Sequence, residues 1–196
     1  MNDPEEKRRE QEQLMERMLE HKKELFRRAV PEKTVKGFTV QEHMVPMEDG
    51  VKLKTVCFLP AGAESFPTVL MRSCYPEQQP FLTLQGEEYS RRGFAFVYQW
   101  CRGTGGSEGE WEPNIHERQD GLAALRWLTE QTFSGNIGYM GDSYLALPGW
   151  CMADALPTEV KSMYLGVYGA RLQYTSYPLD GTGSLLTRAP RLRYVQ

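Results

Sequence analysis

The chain has 196 residues, of which 40% are hydrophobic and 25% are charged, with a formal net charge of −3 at pH 7. This length suits one domain, and the acidic balance argues against a nucleic-acid binder, which would need a basic face. The apolar runs are too short to span a membrane, and the charged residues after Met1 do not form an export signal. We therefore expect a cytoplasmic protein that binds neither nucleic acid nor membranes.

The first 36 residues are predicted to form a charged amphipathic helix. Up to Lys33 they contain nine acidic and nine basic side chains, and apolar residues recur at helical spacing between Leu14 and Ala29. Pro31 ends the pattern. Because the charges balance, attraction to anionic lipid is weak, so we favour a helix packed on its own domain or on a second subunit.

Residues 37–170 read as an α/β domain. Segments 38–45 and 51–59 flank a Glu-Asp-Gly turn signal and predict an antiparallel pair of strands. Further strands are predicted at 68–71, 94–100, 136–140 and 161–167. Helices are predicted between them at 81–92, from a capping box at Asn114 and Glu117 to about 132, and from 141 to about 157. This alternation is typical of a mostly parallel sheet.

Cysteine and histidine are scarce. The cysteines are far apart, without a C-x-x-C pair, so we expect buried free thiols rather than a zinc site or disulfides: Cys57, Cys74, Cys101 and Cys151. There are three histidines, His21, His43 and His116.

The segment 136–146 carries the sharpest catalytic signal. A short strand runs through Gly141 to Ser143 and directly into a predicted helix, which is the setting of a nucleophile elbow. Glycine two positions before the serine would allow strand and helix to approach closely. The general G-x-S-x-G pattern fails at its last place, where Leu145 stands, so a turn that uses Gly and Ser only for local geometry is the alternative.

The residues around the elbow resemble the CocE/NonD acyl hydrolases, a serine hydrolase family that includes cocaine-esterase-like and Xaa-Pro dipeptidyl-peptidase-like enzymes. Their elbow reads Gly-x-Ser-Tyr-x-Gly, which Gly141, Ser143 and Tyr144 match and Ala146 breaks. Three further segments resemble the family's motifs in the family's order: 47–53, 72–76 and 102–131. The resemblance covers roughly residues 40 to 170 and implies a partial α/β-hydrolase fold.

The resemblance also implies roles for three residues. Ser143 would be the nucleophile that forms an acyl-enzyme with an ester, an amide or an Xaa-Pro peptide. The backbone N–H of Tyr144 and the hydroxyl of Tyr75 would donate hydrogen bonds to the oxyanion. The alternative for Tyr75 is a turn aromatic ahead of Pro76. Neither a metal nor an organic cofactor is implied.

Arg102 and the glycine-rich loop after it are open to two interpretations. The loop follows a strand, as a phosphate-binding loop does, but its glycines do not form G-x-G-x-x-G and no helix begins there. We favour the alternative that Arg102 pairs with Asp120 to brace the loop.

The acid and base of a catalytic triad are not apparent. In α/β hydrolases the chain order is Ser, then Asp or Glu, then His, but every histidine here precedes Ser143. The carboxylates that follow it are Asp154, Glu159 and Asp180. Three hypotheses remain: an N-terminal part of a longer hydrolase, one chain of a split enzyme completed by a second polypeptide, or an inactive remnant that binds a partner. Residues 171–196 would begin a helical cap or form an irregular tail, and a homo-oligomer is a further option.

Overall fold

The structure, a computed structural model, describes residues 4–29 and 31–168. Its strands form one sheet of six. They are β1 (Phe38–Pro46), β2 (Lys52–Pro60), β3 (Phe66–Ser73), β4 (Ala95–Trp100), β5 (Ser134–Asp142) and β6 (Val160–Gly166). The α-helices are α1 (Pro4–Arg27), α2 (Gln79–Ser90), α3 (Glu117–Thr129) and α4 (Ala146–Met152). The predicted tail at 171–196 lies outside the described residues.

The sheet is mostly parallel, as predicted. Its strand order is β1-β2-β4-β3-β5-β6. The hairpin of β1 and β2 is antiparallel, and β2 meets β4 in the same antiparallel sense. The remaining neighbours, from β4 through β3 and β5 to β6, are parallel. All the predicted strands are therefore present, each with ends within a few residues of the prediction.

Helices cover both faces of the sheet, so its central strands are buried on both sides. Every residue of β4 is buried. On one face Leu125 of α3 and Met152 of α4 pack against the strands. On the other face Leu82 of α2 packs against Phe96 and its neighbours. The core is thus two apolar layers, one on each side of a shared sheet.

Two predicted helix starts were wrong, and the helix predicted to reach about residue 157 ends at Met152. The proposed capping box does not form, because Asn114 has a left-handed backbone (φ 71°) and α3 begins only at Glu117, capped by no side chain. The helix predicted from 141 also begins later, since the strand continues to Asp142 and a 3-10 turn precedes α4. Pro148 consequently lies in the first turn of α4, where a proline costs no helical hydrogen bond.

Helix α1 packs on its own domain, which is one of the two arrangements that we expected. The ring of Phe26 meets that of Tyr89 edge-on at 6.1 Å. The guanidinium of Arg92 donates a 2.5 Å hydrogen bond to the carbonyl of Phe26 and lies over its ring. Within the described ranges, no helix is both long and apolar enough to cross a membrane.

The fully buried Arg72 joins the end of β3 to β4 and α3. Its Nε donates to Gln99 at 2.9 Å, and its Nη1 donates to the carboxylate of Glu117 at 2.9 Å. The carboxylate of Asp120 lies 3.7 Å from Nη2. Two carboxylates without water would be costly to bury, so this guanidinium is required for α3 to sit against the sheet.

Arg102 is paired with Asp120, which confirms the bracing role. Its guanidinium donates two hydrogen bonds to Asp120, at 2.8 and 2.7 Å, and two more to Asp49 in the β1–β2 turn. A side chain engaged by two carboxylates in this way is not available to a phosphate. The guanidinium instead ties the loop after β4 to α3 and to the hairpin.

Replacing Arg72 by methionine is expected to lower the free energy of unfolding by about 3 kcal/mol, because it leaves buried carboxylates without their partner. Urea denaturation followed by circular dichroism measures the change. The matched control is Arg118→Met, which removes an exposed ion pair with Asp154 and should leave the midpoint unchanged. Equal effects of the two substitutions would contradict a structural role for the Arg72 cluster.

Candidate active site

The chain turns sharply at Ser143, immediately after β5. Ser143 has φ 54°, a left-handed conformation that is uncommon for a residue with a side chain, and a 3-10 turn of three residues begins there. A Cβ on Gly141 would lie 2.2 Å from the carbonyl oxygen of Leu145. The strand and the following turn approach each other as a nucleophile elbow requires, which is what the sequence predicted.

Tyr139 ties the turn to the strand that precedes it. Its hydroxyl donates a 2.7 Å hydrogen bond to the carbonyl of Leu145, and the residue is only 1% exposed. Burial raises the pKa of Tyr139 well above its usual value, so the hydroxyl keeps the proton that it donates. This buried bond satisfies a carbonyl at the corner and holds the corner closed.

The side chain of Ser143 is exposed to a cavity of about 690 Å³. The cavity lies between the ends of β3 and β5 on one side and helix α1 on the other. Its apolar lining comes from Met18, Leu25, Met71, Phe81, Leu82, Met140 and Leu145. Its polar lining comes from Arg17, His21, Lys22, Tyr75, Gln78, Gln85, Asp142 and Ser143.

Tyr75 lies in the turn that follows β3 and lines the same cavity as Ser143. Its carbonyl accepts a hydrogen bond from Gln78 at 2.9 Å, and its N–H donates to the Ser73 hydroxyl at 3.2 Å. The half-buried ring packs against the apolar cluster on the α2 face. The backbone of Tyr75 therefore shapes the turn ahead of Pro76, while its side chain borders the cavity.

Tyr144 follows Ser143 in the 3-10 turn, where a backbone N–H has no acceptor within the turn. Its side chain points away from solvent: the hydroxyl donates to Glu117 at 3.0 Å and accepts from the N–H of Asn114 at 2.9 Å. The ring of Trp111 meets it edge-on at 5.3 Å. Burial and the charge of Glu117 raise the pKa of Tyr144, so its hydroxyl stays protonated and remains a donor.

Glu117 is the positioning residue that sequence reasoning missed. It was assigned to a capping box, but its carboxylate is 3% exposed and joins Arg72 of β3 to Tyr144 at the elbow. The signal in the sequence was Arg72 itself, because an arginine within a buried strand requires an acidic partner. Nothing local in the sequence identifies which acid that is.

The groups at the cavity wall carry mixed charge. Asp142, next to Ser143, is exposed, and it lies close enough to Lys22 of α1 for their charges to interact. Partial burial lowers the pKa of the Lys22 ammonium, and the charge of Asp142 offsets part of this effect. No feature of the sequence predicts that α1 lies beside Ser143.

The carboxylates and histidines that the sequence singled out do not form an acid–base pair beside Ser143 in the described ranges. Asp154 is paired with Arg118, which lowers the pKa of its carboxyl group, and Glu159 lies beside Thr158. His43 packs against Trp127, and Nε2 of His116 is 2.8 Å from Glu112. His21 borders the cavity, whereas Asp180 is outside the described residues.

The four cysteines are free, as expected, with Cys57 and Cys101 buried and Cys74 and Cys151 partly so. Burial raises the pKa of the Cys57 thiol to about 12, which leaves it protonated and unreactive at neutral pH. In residues 4–29 and 31–168, no three histidine, cysteine or acidic side chains are close enough to hold a metal ion.

Known proteins resemble this chain in sequence. The family model for X-Pro dipeptidyl-peptidases (S15 family) matches residues 49–180. Cocaine esterase from Rhodococcus sp. (strain MB1 Bresler) is 36% identical over 112 residues, which are 55% of this chain and 20% of the esterase. This chain thus spans about a fifth of the length of that curated relative. Helix α1 precedes the family match.

Solved structures resemble the fold over a similar part. A CocE/NonD family hydrolase from Staphylococcus aureus has a TM-score of 0.56 at 27% identity, covering 64% of this chain and 27% of that protein. An α-amino acid ester hydrolase has a TM-score of 0.53 at 24% identity, with coverage of 69% and 26%. An aminopeptidase from a marine sediment Thaumarchaeota archaeon has a TM-score of 0.55 at 23% identity, with the same coverage. The last two comparisons show the shared fold alone.

The close approach at Gly141 predicts that Gly141→Ala destabilises the chain. The added methyl would overlap the carbonyl of Leu145, so we expect a loss of about 3 kcal/mol in the free energy of unfolding. The control is Gly37→Ala, whose Cβ would make an ordinary 3.9 Å contact with Ala61. Urea denaturation of both variants measures the difference in the free energy of unfolding. A Gly141→Ala chain as stable as the control would contradict the close approach of Gly141 to the carbonyl of Leu145.

Proposed function

This chain belongs to the X-Pro dipeptidyl-peptidase (S15) family of hydrolases, and on that basis we propose that it carries the nucleophile of a serine acyl hydrolase. The observation that supports this most directly is the left-handed backbone of Ser143, which presents its hydroxyl to the cavity at the end of β5. Strain of this kind persists where function requires it. The substrate would be an ester or an amide.

In the proposed reaction, the Ser143 hydroxyl loses its proton to a general base as Oγ attacks the acyl carbon, and the carbonyl oxygen becomes an anion. The N–H of Tyr144 and the hydroxyl of Tyr75 would donate hydrogen bonds to that oxygen. The leaving alcohol or amine departs with a proton. Water then attacks the acyl-enzyme, which releases a carboxylic acid and restores the serine.

Glu117 would serve this reaction indirectly. Its carboxylate accepts a hydrogen bond from the Tyr144 hydroxyl and so holds the turn that follows Ser143. The same carboxylate binds Arg72, which lies near the end of β3, two residues before Cys74. Both proposed oxyanion donors therefore lie on segments that one carboxylate connects. Donors fixed in advance need not reorganise as charge develops, which is the main source of their effect.

The acid and base of the triad would come from sequence beyond the part that this chain shares with its relatives. The chain spans 20% of cocaine esterase and 27% of the Staphylococcus aureus hydrolase, and in α/β hydrolases both residues follow the serine. Without its base such a serine retains roughly 10³–10⁴-fold catalysis over water. The names of the relatives include both an esterase and peptidases, so the leaving group stays open between alcohol and amine.

A fluorophosphonate probe tests the nucleophile. We expect slow covalent labelling of the full chain, located at Ser143 by peptide mass spectrometry and absent from Ser143→Ala. The control is Ser162→Ala, which removes an exposed serine on β6 and should label normally. Equal labelling of Ser143→Ala would exclude Ser143 as the nucleophile, and failure of any serine to label would favour the inactive remnant.

The proposed oxyanion role of Tyr75 predicts that Tyr75→Phe slows labelling of Ser143 by roughly 10²-fold, because one donor to the developing charge is lost. Tyr164→Phe is the matched control, since Tyr164 is 59% exposed on β6. The measurement is the rate at which the probe labels each variant, compared with the rate for the unaltered chain. If both label at the rate of the unaltered chain, the aromatic ring of Tyr75 serves the turn only.

A further inference from the structure

The basic residues of α1 fall into two groups. Of its four arginines, Arg8, Arg9 and Arg27 each form an ion pair with a glutamate on the same helix. Arg17 has no carboxylate within ion-pair distance in the described part of the chain. Of its three lysines, Lys23 is paired with Glu20, whereas Lys7 and Lys22 have no carboxylate within ion-pair distance in the described ranges.

Two of these unpaired cations, Arg17 and Lys22, border the cavity that contains Ser143, and Lys7 does not. The ammonium of Lys22 lies over the ring of Phe81, 5.6 Å from its centre. Asp142 is the one carboxylate on the described cavity wall, so two cations face a single anion there. An anionic group that entered the cavity would find a cation with no acidic partner, and charge-assisted hydrogen bonds of that kind are the stronger ones.

The rest of the lining is apolar and comes from both sides of the cavity. Met18 and Leu25 of α1 lie beside the two cations and line the cavity with them. Both apolar side chains are about half exposed, at 51% and 56%. Met71, Met140 and Leu82 form the opposite wall. A ligand with an apolar body would cover these side chains, as in most small-molecule sites.

We propose that this cavity binds an acyl group that has an apolar chain and ends in a carboxylate, with the carboxylate held by Arg17 and Lys22. The inference rests on the proposed function, since it places the reacting carbonyl at Ser143. It assigns substrate selection to α1, a helix that precedes the residues matched by the family.

Methionine methyl signals provide a test that does not depend on turnover. The full chain with Ser143→Ala is labelled with [methyl-¹³C]methionine and titrated with monomethyl adipate or with its uncharged analogue, dimethyl adipate. Met18, Met71 and Met140 report on the cavity, and Met152, buried on the other face of the sheet, is the internal reference. We expect the three cavity signals to move, and the monoester to bind about tenfold more tightly than the diester.

Substitutions on α1 then assign the preference to residues. Arg17→Gln and Lys22→Gln should each weaken binding of the monoester about fivefold and leave the diester unaffected. Arg27→Gln and Lys23→Gln are the matched controls, because they remove paired cations that do not line the cavity. Circular dichroism verifies that each variant retains its helix content.

The outcomes separate this inference from the proposed function. Equal affinity for the two esters in the chain with unaltered α1, cavity signals that respond to neither, or controls that weaken binding as much as the cavity variants would each overturn the carboxylate site. A retained preference for the monoester in a protein whose Ser143 fails to label would support the carboxylate site and contradict the acyl-enzyme.

Discussion

The candidate site depends on the hydrogen bonds that the buried carboxylate of Glu117 accepts. This carboxylate accepts hydrogen bonds from the guanidinium of Arg72 and from the hydroxyl of Tyr144, and hardly any of it reaches solvent. A buried charge is tolerated only when its partners are held in place, so the carboxylate and its partners constrain one another. One side chain of α3 thereby joins the end of β3 to the turn that carries Ser143.

A second constraint operates at the corner itself. The left-handed backbone of Ser143 opposes the turn that the chain makes, whereas the lack of a side chain at Gly141 permits it. The buried hydrogen bond from Tyr139 to Leu145, together with the anchoring of Tyr144 by Glu117, favours it. The exposed hydroxyl of Ser143 is thus supported by packing on the inner sides of the turn, which is why an exposed position can be both strained and well defined.

Helix α1 gives the cavity its remaining wall and its charge. Phe26 packs against Tyr89 of α2 and against Arg92 just after it, and Arg17 and Lys22 of the same helix line the cavity that contains Ser143. Most other cations of the helix are paired with glutamates one turn away. The charges of the helix therefore balance overall, although they do not balance on the side that faces the cavity. The amphipathic helix that the sequence predicts therefore borders the candidate active site.

Features that depend on neighbours along the chain could be predicted from the amino-acid order. Apolar runs between turn signals identified the strands and the parallel sheet, and glycine two positions before Ser143 identified the corner, because both signals are local. The partner of Arg72, the absence of the predicted capping box and the position of α1 became apparent only from the folded chain. These depend on contacts between residues far apart, such as Arg72 with Glu117 or Lys22 with Phe81, for which hydrophobic periodicity carries no information.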